Sequence, residues 1–186
     1  MMKFANFAVF QIGWLACVYG GANQQPWLGT LFVAAAVLLH LQMARKPLLE
    51  VRLLVTAGAI GLVWELALVN SSLVIYPSGI LVAGTPPHWI LALWVLFAMT
   101  LNSSMRWLRD RFFLSLCLGA VAGPLSYLAG HKLGAVTFPD TALAMMVLAA
   151  GWAVITPSLM LLASRLDGMS DKVVPQLTSE YLEEAA

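Results

Sequence analysis

The chain has 186 residues, of which 61% are hydrophobic and only 10% are charged, whereas soluble globular domains average about 45–50% apolar and about 25% charged residues. Together with a mean hydropathy of +0.85, this composition excludes an ordinary soluble domain and indicates a polytopic membrane protein. Ten Lys and Arg residues against nine Asp and Glu give a formal charge of +1. The sequence therefore has no basic stripe for a phosphate backbone, and no nucleic-acid partner is expected.

Six apolar runs are long enough to cross about 30 Å of hydrocarbon at a rise of about 1.5 Å per residue. In chain order, their predicted bounds are Phe4–Ala22, Pro26–Ala44, Glu50–Asn70, His88–Met105, Phe112–Gly130 and Thr141–Ser164. Because a bilayer offers no water to backbone amides, each run should be an α-helix. We predict an all-α polytopic bundle of six transmembrane helices over residues 1–164, followed by a short polar cytosolic tail over 165–186.

The distribution of Lys and Arg predicts the orientation of this bundle. With a cytoplasmic N-terminus, nine of the ten basic residues fall on the inner side and only Lys132 falls on the outer side. Positively charged loops resist translocation and stay cytoplasmic. We therefore predict cytoplasmic N- and C-termini for a multi-pass membrane protein.

Motifs that identify common enzyme classes do not occur in this sequence. There is no CxxC, HExxH, Walker loop, GxSxG or GxGxxG, and each of these carries a metal, a nucleotide or a nucleophile in known enzymes. We predict no metal and no cofactor. The sequence assigns no catalytic residue and leaves open whether the protein is an enzyme.

Glu65 is the only formally charged side chain well inside a predicted span, about 22 Å from the inner face. A charged group in hydrocarbon costs at least about 2.5 kcal/mol, so Glu65 should face the bundle interior or a wet cavity. Trp64 and Trp94 are predicted at nearly the same depth. These residues indicate a proton donor or a hydrogen-bond anchor for a ligand, and the alternative is a structural Glu bonded to a neighbouring helix.

Further polar residues fall near the same outer edge of the predicted bundle. They are Asn70, His88, His131, Lys132 and Asp140. Small residues at a spacing of four lead along the fifth span to Tyr127 and direct it toward protein. These residues predict an outward-facing binding cavity. Two histidines and a carboxylate are able to hold a metal, but they lack ligand-motif spacing, and polar residues at helix ends ordinarily serve as interfacial anchors.

The segment between the third and fourth spans, residues 71–87, has no charge and consists of two short apolar arms around Pro77-Ser78-Gly79. Each arm is too short to cross a membrane. One interpretation is a re-entrant lid over an outer cavity, which requires protein or water to satisfy its backbone. The other is that the third helix extends toward Tyr76 and tilts.

Several short segments of this sequence resemble those of a small bacterial inner-membrane family of unknown function, and the resemblance covers roughly the first 165 residues. The segments are Trp64-Glu65, Asn70-Ser71-Ser72, Gly84-Thr85-Pro86-Pro87-His88-Trp89-Ile90, Leu93-Trp94-Val95 and Thr100-Leu101-Asn102-Ser103-Ser104-Met105. Genes of that family often neighbour genes for fatty-acyl phospholipid modification. The resemblance therefore implies a multi-pass protein of the bacterial inner membrane that works on or beside membrane lipids, and it implies no catalytic residue.

Three functions are consistent with these observations. The first is a lipid-associated protein that binds, presents or modifies a membrane lipid or acyl chain in an outward cavity around Glu65. The second is a small-solute-binding transport subunit similar to the substrate-capture subunits of energy-coupling-factor transporters, although Ala5 is followed four residues later by Val9 and not by the alanine often found there. The third is a structural partner of another membrane protein. We expect the first, with membrane lipids as its partners.

Overall fold

The computed structural model describes residues 2–170, which form six α-helices and one short 3₁₀ turn. The helices are α1 (Met2–Ala22), α2 (Trp27–Met43), α3 (Pro47–Asn70), α4 (His88–Leu101), α5 (Phe112–Lys132) and α6 (Thr141–Arg165), and the 3₁₀ turn is Arg106–Leu108. Of these, α1, α3, α5 and α6 are long and apolar enough to cross a membrane. The all-helical prediction is confirmed for this part of the chain, and the four long helices indicate a membrane protein. At 17 and 14 residues, α2 and α4 are shorter.

The fourth helix ends at Leu101, four residues before its predicted end. The residue after it, Asn102, turns its side chain into the protein, where Nδ2 donates to Glu50 Oε1 over 2.6 Å. Arg106 then donates from Nε and Nη2 to the backbone oxygen of Asn102, over 3.0 and 2.8 Å. These bonds satisfy a carbonyl that the helix end leaves open.

Helix α4 lies at the centre of the first four helices and also contacts α6. Helices α1, α2 and α3 all contact α4, and α5 packs mainly on α6. We call these two parts the four-helix unit (α1–α4) and the α5–α6 hairpin. Small residues permit the close α5–α6 contact, because a Cβ at Gly119 or Gly123 would overlap Trp152 of α6. The prediction that this stripe of small residues faces protein agrees with the burial of both glycines.

One end of the bundle, the loop end, is formed by residues 71–87 and 133–140. Because α3 stops at Asn70, the predicted extension of this helix toward Tyr76 is wrong. The chain instead runs extended over the helix ends, with Val74, Tyr76 and Ser78 buried. Backbone bonds of 2.9 and 2.8 Å pair Ile75 with Thr137. This pairing ties the loop of the four-helix unit to the turn of the α5–α6 hairpin.

The opposite end, the Arg-rich end, is formed by the starts of α1, α3 and α5 and by residues 102–111 and 166–170. The segment after α6 does not leave the bundle at once. Asp167 is buried, and the amide of Gly168 donates to Glu50 Oε1 over 2.8 Å. The prediction of a polar tail also covers residues 171–186, which lie outside the described residues.

Candidate functional site

The Glu65 carboxylate is fully buried and accepts three hydrogen bonds. Tyr76 donates from its hydroxyl to Oε2 over 2.7 Å, and Trp94 donates from Nε1 to Oε1 over 3.0 Å. The hydroxyl of Tyr127 also donates to Oε1. The expectation that Glu65 faces the bundle interior is met. Its carboxylate joins α3 to α4, to α5 and to the loop-end segment, and we call these four residues the Glu65 cluster.

Glu65, Trp94 and Tyr127 were predicted as site residues, and the structure brings all three together. The fourth member of the cluster, Tyr76, was not predicted as a site residue. The sequence offers no signal for Tyr76, because residues 73–76 are uniformly apolar or aromatic, and the alternate burial of Val74, Tyr76 and Ser78 appears only in the structure. Tyr76 is held edge-on against Trp89, with ring centroids 5.5 Å apart.

The predicted histidines lie apart from the Glu65 cluster. His88 stacks on Trp27 at 4.2 Å between ring centroids, and its Nδ1 lies 2.7 Å from the Thr30 hydroxyl. His131 donates from Nδ1 to the backbone oxygen of Val136 over 2.9 Å. Each imidazole therefore fixes a local helix contact or turn. Among the described residues, no group of three or more His, Cys, Asp or Glu side chains is placed to hold a metal ion.

The other three predicted site residues also have local roles. Asp140 caps α6, because its Oδ1 accepts from the amide of Leu143 over 3.0 Å. Asn70 donates to the Leu66 oxygen at the end of α3 over 2.7 Å. The Trp64 ring packs where a Cβ on Gly151 of α6 would overlap it. These contacts stabilise the fold and do not place the three side chains in a common site.

A cavity of about 620 Å³ lies between the four-helix unit and the α5–α6 hairpin. Its walls come from α1, α4, α5 and α6 and from residues 104–107. Aromatic rings dominate the walls, among them Phe10, Trp14, Phe97 and Trp152. Trp152 stacks on Trp94 with ring centroids 4.9 Å apart. The volume is typical of small-molecule sites, which occupy about 300–1,000 Å³.

The cavity reaches the surface between α1 and α5. Phe7 on α1 and Leu125 on α5 both line it, and they are 54% and 56% exposed. At the loop-end side of this mouth, Trp14 of α1 donates from Nε1 to the Ser126 hydroxyl of α5 over 2.9 Å. The opening therefore lies in the apolar side of the bundle and is bounded by one hydrogen bond between the two helices.

The cavity is not where the sequence analysis placed it. It extends from Tyr127 toward Trp107 at the Arg-rich end, and His88, His131 and Asp140 do not line it. The Glu65 carboxylate is not exposed to it and sits behind Trp94 and Tyr127, which form part of its wall. A recess of about 30 Å³ lies beside Tyr127 on the loop-end side. The predicted outward cavity floored by Glu65 therefore does not coincide with this cavity, although the predicted residues Trp94 and Tyr127 line it.

A second buried carboxylate, Glu50, was missed. Its Oε1 accepts from Asn102 Nδ2 and from the amide of Gly168, and its Oε2 lies 2.9 Å from His40 Nε2. The predicted span began at Glu50, and this boundary placed the residue at the membrane surface. In the structure α3 begins three residues earlier, with Pro47 in a first-turn position that suits proline. Because α3 begins earlier, Glu50 lies inside the protein and accepts a hydrogen bond from Asn102, the residue that follows α4.

Asp167 extends this polar cluster at the Arg-rich end. It accepts from Arg106 Nη2 over 2.9 Å and from Arg109 Nη1 over 2.8 Å. Burial by itself raises the pKa of the Asp167 carboxyl, but hydrogen bonds from Arg109, Ser170 and Met169 and the charge of Arg106 bring this pKa below its ordinary value. The residues after α6 are therefore held by a charged carboxylate against the turn that follows α4.

No curated protein and no solved structure matches this chain. A family model described as "Protein of unknown function (DUF2878)" matches residues 3–158. The match covers well over half of the chain and confirms the resemblance to a family of unknown function. The chain therefore belongs to this family.

Proposed function

We propose that the protein binds a membrane lipid, with an acyl chain of the lipid in the cavity between α1 and α5. The single observation that carries this proposal is an aromatic and aliphatic cavity whose mouth lies in the apolar side of the bundle. An acyl chain in this cavity exchanges contact with fluid lipid tails for dispersion contacts with aromatic and aliphatic side chains of the protein. A membrane lipid reaches such a mouth by lateral diffusion.

The proposal includes a membrane topology in which all six helices cross the bacterial inner membrane and the Arg-rich end is cytoplasmic. The positions of nine of the ten basic residues support this orientation. With only 14 residues, α4 covers about 21 Å. The buried residues Val74 and Tyr76 above it and Asn102 and Leu108 below it extend the crossing, since irregular backbone is tolerated at membrane depth where protein buries it.

The cavity is long enough for an acyl chain that enters from the cytoplasmic leaflet. On α5 its wall runs from Leu118 to Tyr127, which is about 14 Å along the helix axis. Tyr127 lies fifteen residues, about 22 Å, after the first residue of α5, so this wall extends past the middle of a hydrocarbon core of about 30 Å. In the proposed topology the acyl chain enters at the Arg-rich end and ends near Tyr127, beyond the midplane of the bilayer.

The Glu65 cluster serves this site by positioning its wall. Glu65 holds the Trp94 indole and the Tyr127 hydroxyl from behind, and both residues line the cavity. Since the carboxylate itself does not reach the cavity, we assign Glu65 a positioning role and no contact with the lipid. In this proposal, the positioning role explains why a charged residue lies within the membrane, whereas the sequence analysis expected Glu65 to bind a ligand.

Photo-crosslinking tests the proposal in reconstituted vesicles that contain a phospholipid with a diazirine in its acyl chain. We expect adducts on peptides of α1, α4, α5 and α6 that line the cavity. Ala122 lines the cavity at its exposed side, so Ala122→Phe should fill the mouth and remove these adducts. Val121→Phe is the matched control, because Val121 is exposed on α5 but does not line the cavity.

Equal labelling of the two variants, or labelling spread evenly over all lipid-facing helices, would contradict the proposal. Mass spectrometry of the purified protein gives an independent measurement. Copurified phospholipid or acyl chains agree with the proposal. A copurified water-soluble molecule would favour the solute-binding alternative, and a stoichiometric protein would favour the structural one.

A further inference from the structure

The rim of the cavity at the Arg-rich end carries a cation. Trp107 lines the cavity and is 51% exposed. The Arg111 guanidinium lies over the Trp107 ring, with Cζ 5.7 Å from the ring centroid. This is a cation–π distance, and a guanidinium held by its face keeps its N–H donors free for an anion such as phosphate.

Arg111 differs from the two other arginines of the same turn. Arg106 and Arg109 both donate to Asp167, which offsets one of their two charges and holds both side chains against the protein. Within residues 2–170, Arg111 makes no ion pair, and its contact is with the ring at the cavity rim. Two of the three guanidinium groups are thus used by the fold, and the third is left with its charge at the mouth of the cavity.

A second cation stands on the α1 side of the same mouth. Lys3 lies one helical turn before Phe7, and Phe7 lines the cavity together with Gln11, one further turn along. The spacing of four places Lys3 on this same face of α1. It is exposed and makes no ion pair with the described part of the chain.

We propose that the lipid bound by this protein is an anionic phospholipid, with its phosphate between Lys3 and Arg111 and one acyl chain in the cavity. This inference rests on the proposed lipid-binding function and specifies the class of lipid. It is carried by charge complementarity, because the apolar walls end at two cations that the described structure leaves unneutralised. The uncapped first turn of α5, directly after Arg111, adds partial positive charge at the same place.

The experiment compares two diazirine phospholipids with identical acyl chains, phosphatidylglycerol and phosphatidylcholine, in vesicles that contain the full-length protein. We expect phosphatidylglycerol to label the cavity peptides more strongly. A cation at the membrane surface contributes about 1 kcal/mol to anionic-lipid binding, so Arg111→Gln and Lys3→Gln should each lower this preference by about fivefold. Labelling by phosphatidylcholine should fall less, because the choline cation of this lipid already offsets the charge of its phosphate.

Two variants keep the result interpretable. Arg52→Gln removes one exposed cation at the same end of the bundle, on a helix that does not line the cavity, and should leave the preference unchanged. Arg111→Lys keeps the charge but loses the planar guanidinium, and should keep most of the preference. Retained preference in Arg111→Lys together with its loss in Arg111→Gln separates charge recognition from a folding defect.

The outcomes separate this inference from the proposed function. Equal cavity labelling by the two phospholipids, an equal effect of Arg52→Gln, or stronger labelling by a diazirine fatty acid than by phosphatidylglycerol would overturn the anionic-phospholipid inference. Lipid binding in the cavity would then still stand. Absence of cavity labelling by every lipid probe would overturn both.

Discussion

Glu50 and Glu65 lie on the same buried face of α3, fifteen residues and about 22 Å apart along the helix axis. Each carboxylate links α3 to the region of α4 and to the α5–α6 hairpin. Glu65 does so through Trp94 and Tyr127, and Glu50 through Asn102 and the amide of Gly168. The hairpin is therefore fastened to the four-helix unit at both ends, and the cavity lies between the two attachments.

The first prediction concerns the Glu65 cluster. Glu65→Leu leaves the buried donors of Tyr76, Trp94 and Tyr127 without an acceptor, and should lower the free energy of unfolding by about 2–4 kcal/mol. Glu65→Gln retains one acceptor oxygen and should cost about 1 kcal/mol. Denaturation in mixed micelles measures both values. A Leu variant as stable as the wild type would show that these hydrogen bonds do not hold the hairpin.

The second prediction concerns Glu50 and its partner on α2. His40→Ala removes the group beside Glu50 Oε2 and leaves a buried oxygen unpaired, which should cost about 1–3 kcal/mol of unfolding free energy. Gln42→Ala is the control, since Gln42 is exposed two residues further along the same helix and should change this free energy by less than about 0.5 kcal/mol. Equal losses in the two variants would mean that the His40–Glu50 contact contributes nothing specific.

The inward position of Glu65 was predictable from sequence because a lone carboxylate deep in an apolar run must find protein donors, but Tyr76 was not predicted as one of those donors. The burial of Glu50 was not predictable, since it depends on where α3 begins and on a turn that folds Asn102 back over it. The position of the cavity was not predictable either. A stripe such as Gly119 and Gly123 identifies the face of α5 that packs on α6, but the gap between α1 and α5 depends on how the hairpin is placed against the four-helix unit.

The third prediction concerns pH and the segment after α6. The folded pKa of Asp167 is lower than its unfolded value of about 3.9, so its stabilising effect is fully present above that value and is lost as the pH falls through the folded pKa. The difference in unfolding free energy between the wild type and Asp167→Asn should be constant from pH 7 to about pH 5 and should shrink below about pH 4. A difference that grows on acidification would contradict this assignment of the Arg106 and Arg109 contacts.

The fourth prediction compares two glycines in the middle of helices. A Cβ at Gly151 of α6 would overlap the Trp64 ring, whereas a Cβ at Gly58 of α3 would lie 3.5 Å from Val95, an ordinary contact. Gly151→Ala should therefore force α6 away from α3 and cost about 1–3 kcal/mol of unfolding free energy. Gly58→Ala should be neutral or stabilising by up to about 1 kcal/mol, because alanine favours the helix more than glycine does.

Because Trp152 lies one residue after Gly151 and stacks on Trp94 in the cavity wall, Gly151→Ala should also weaken lipid labelling of the cavity, while Gly58→Ala should not. If both variants unfold and label like the wild type, the α3–α6 contact is not needed to shape that wall.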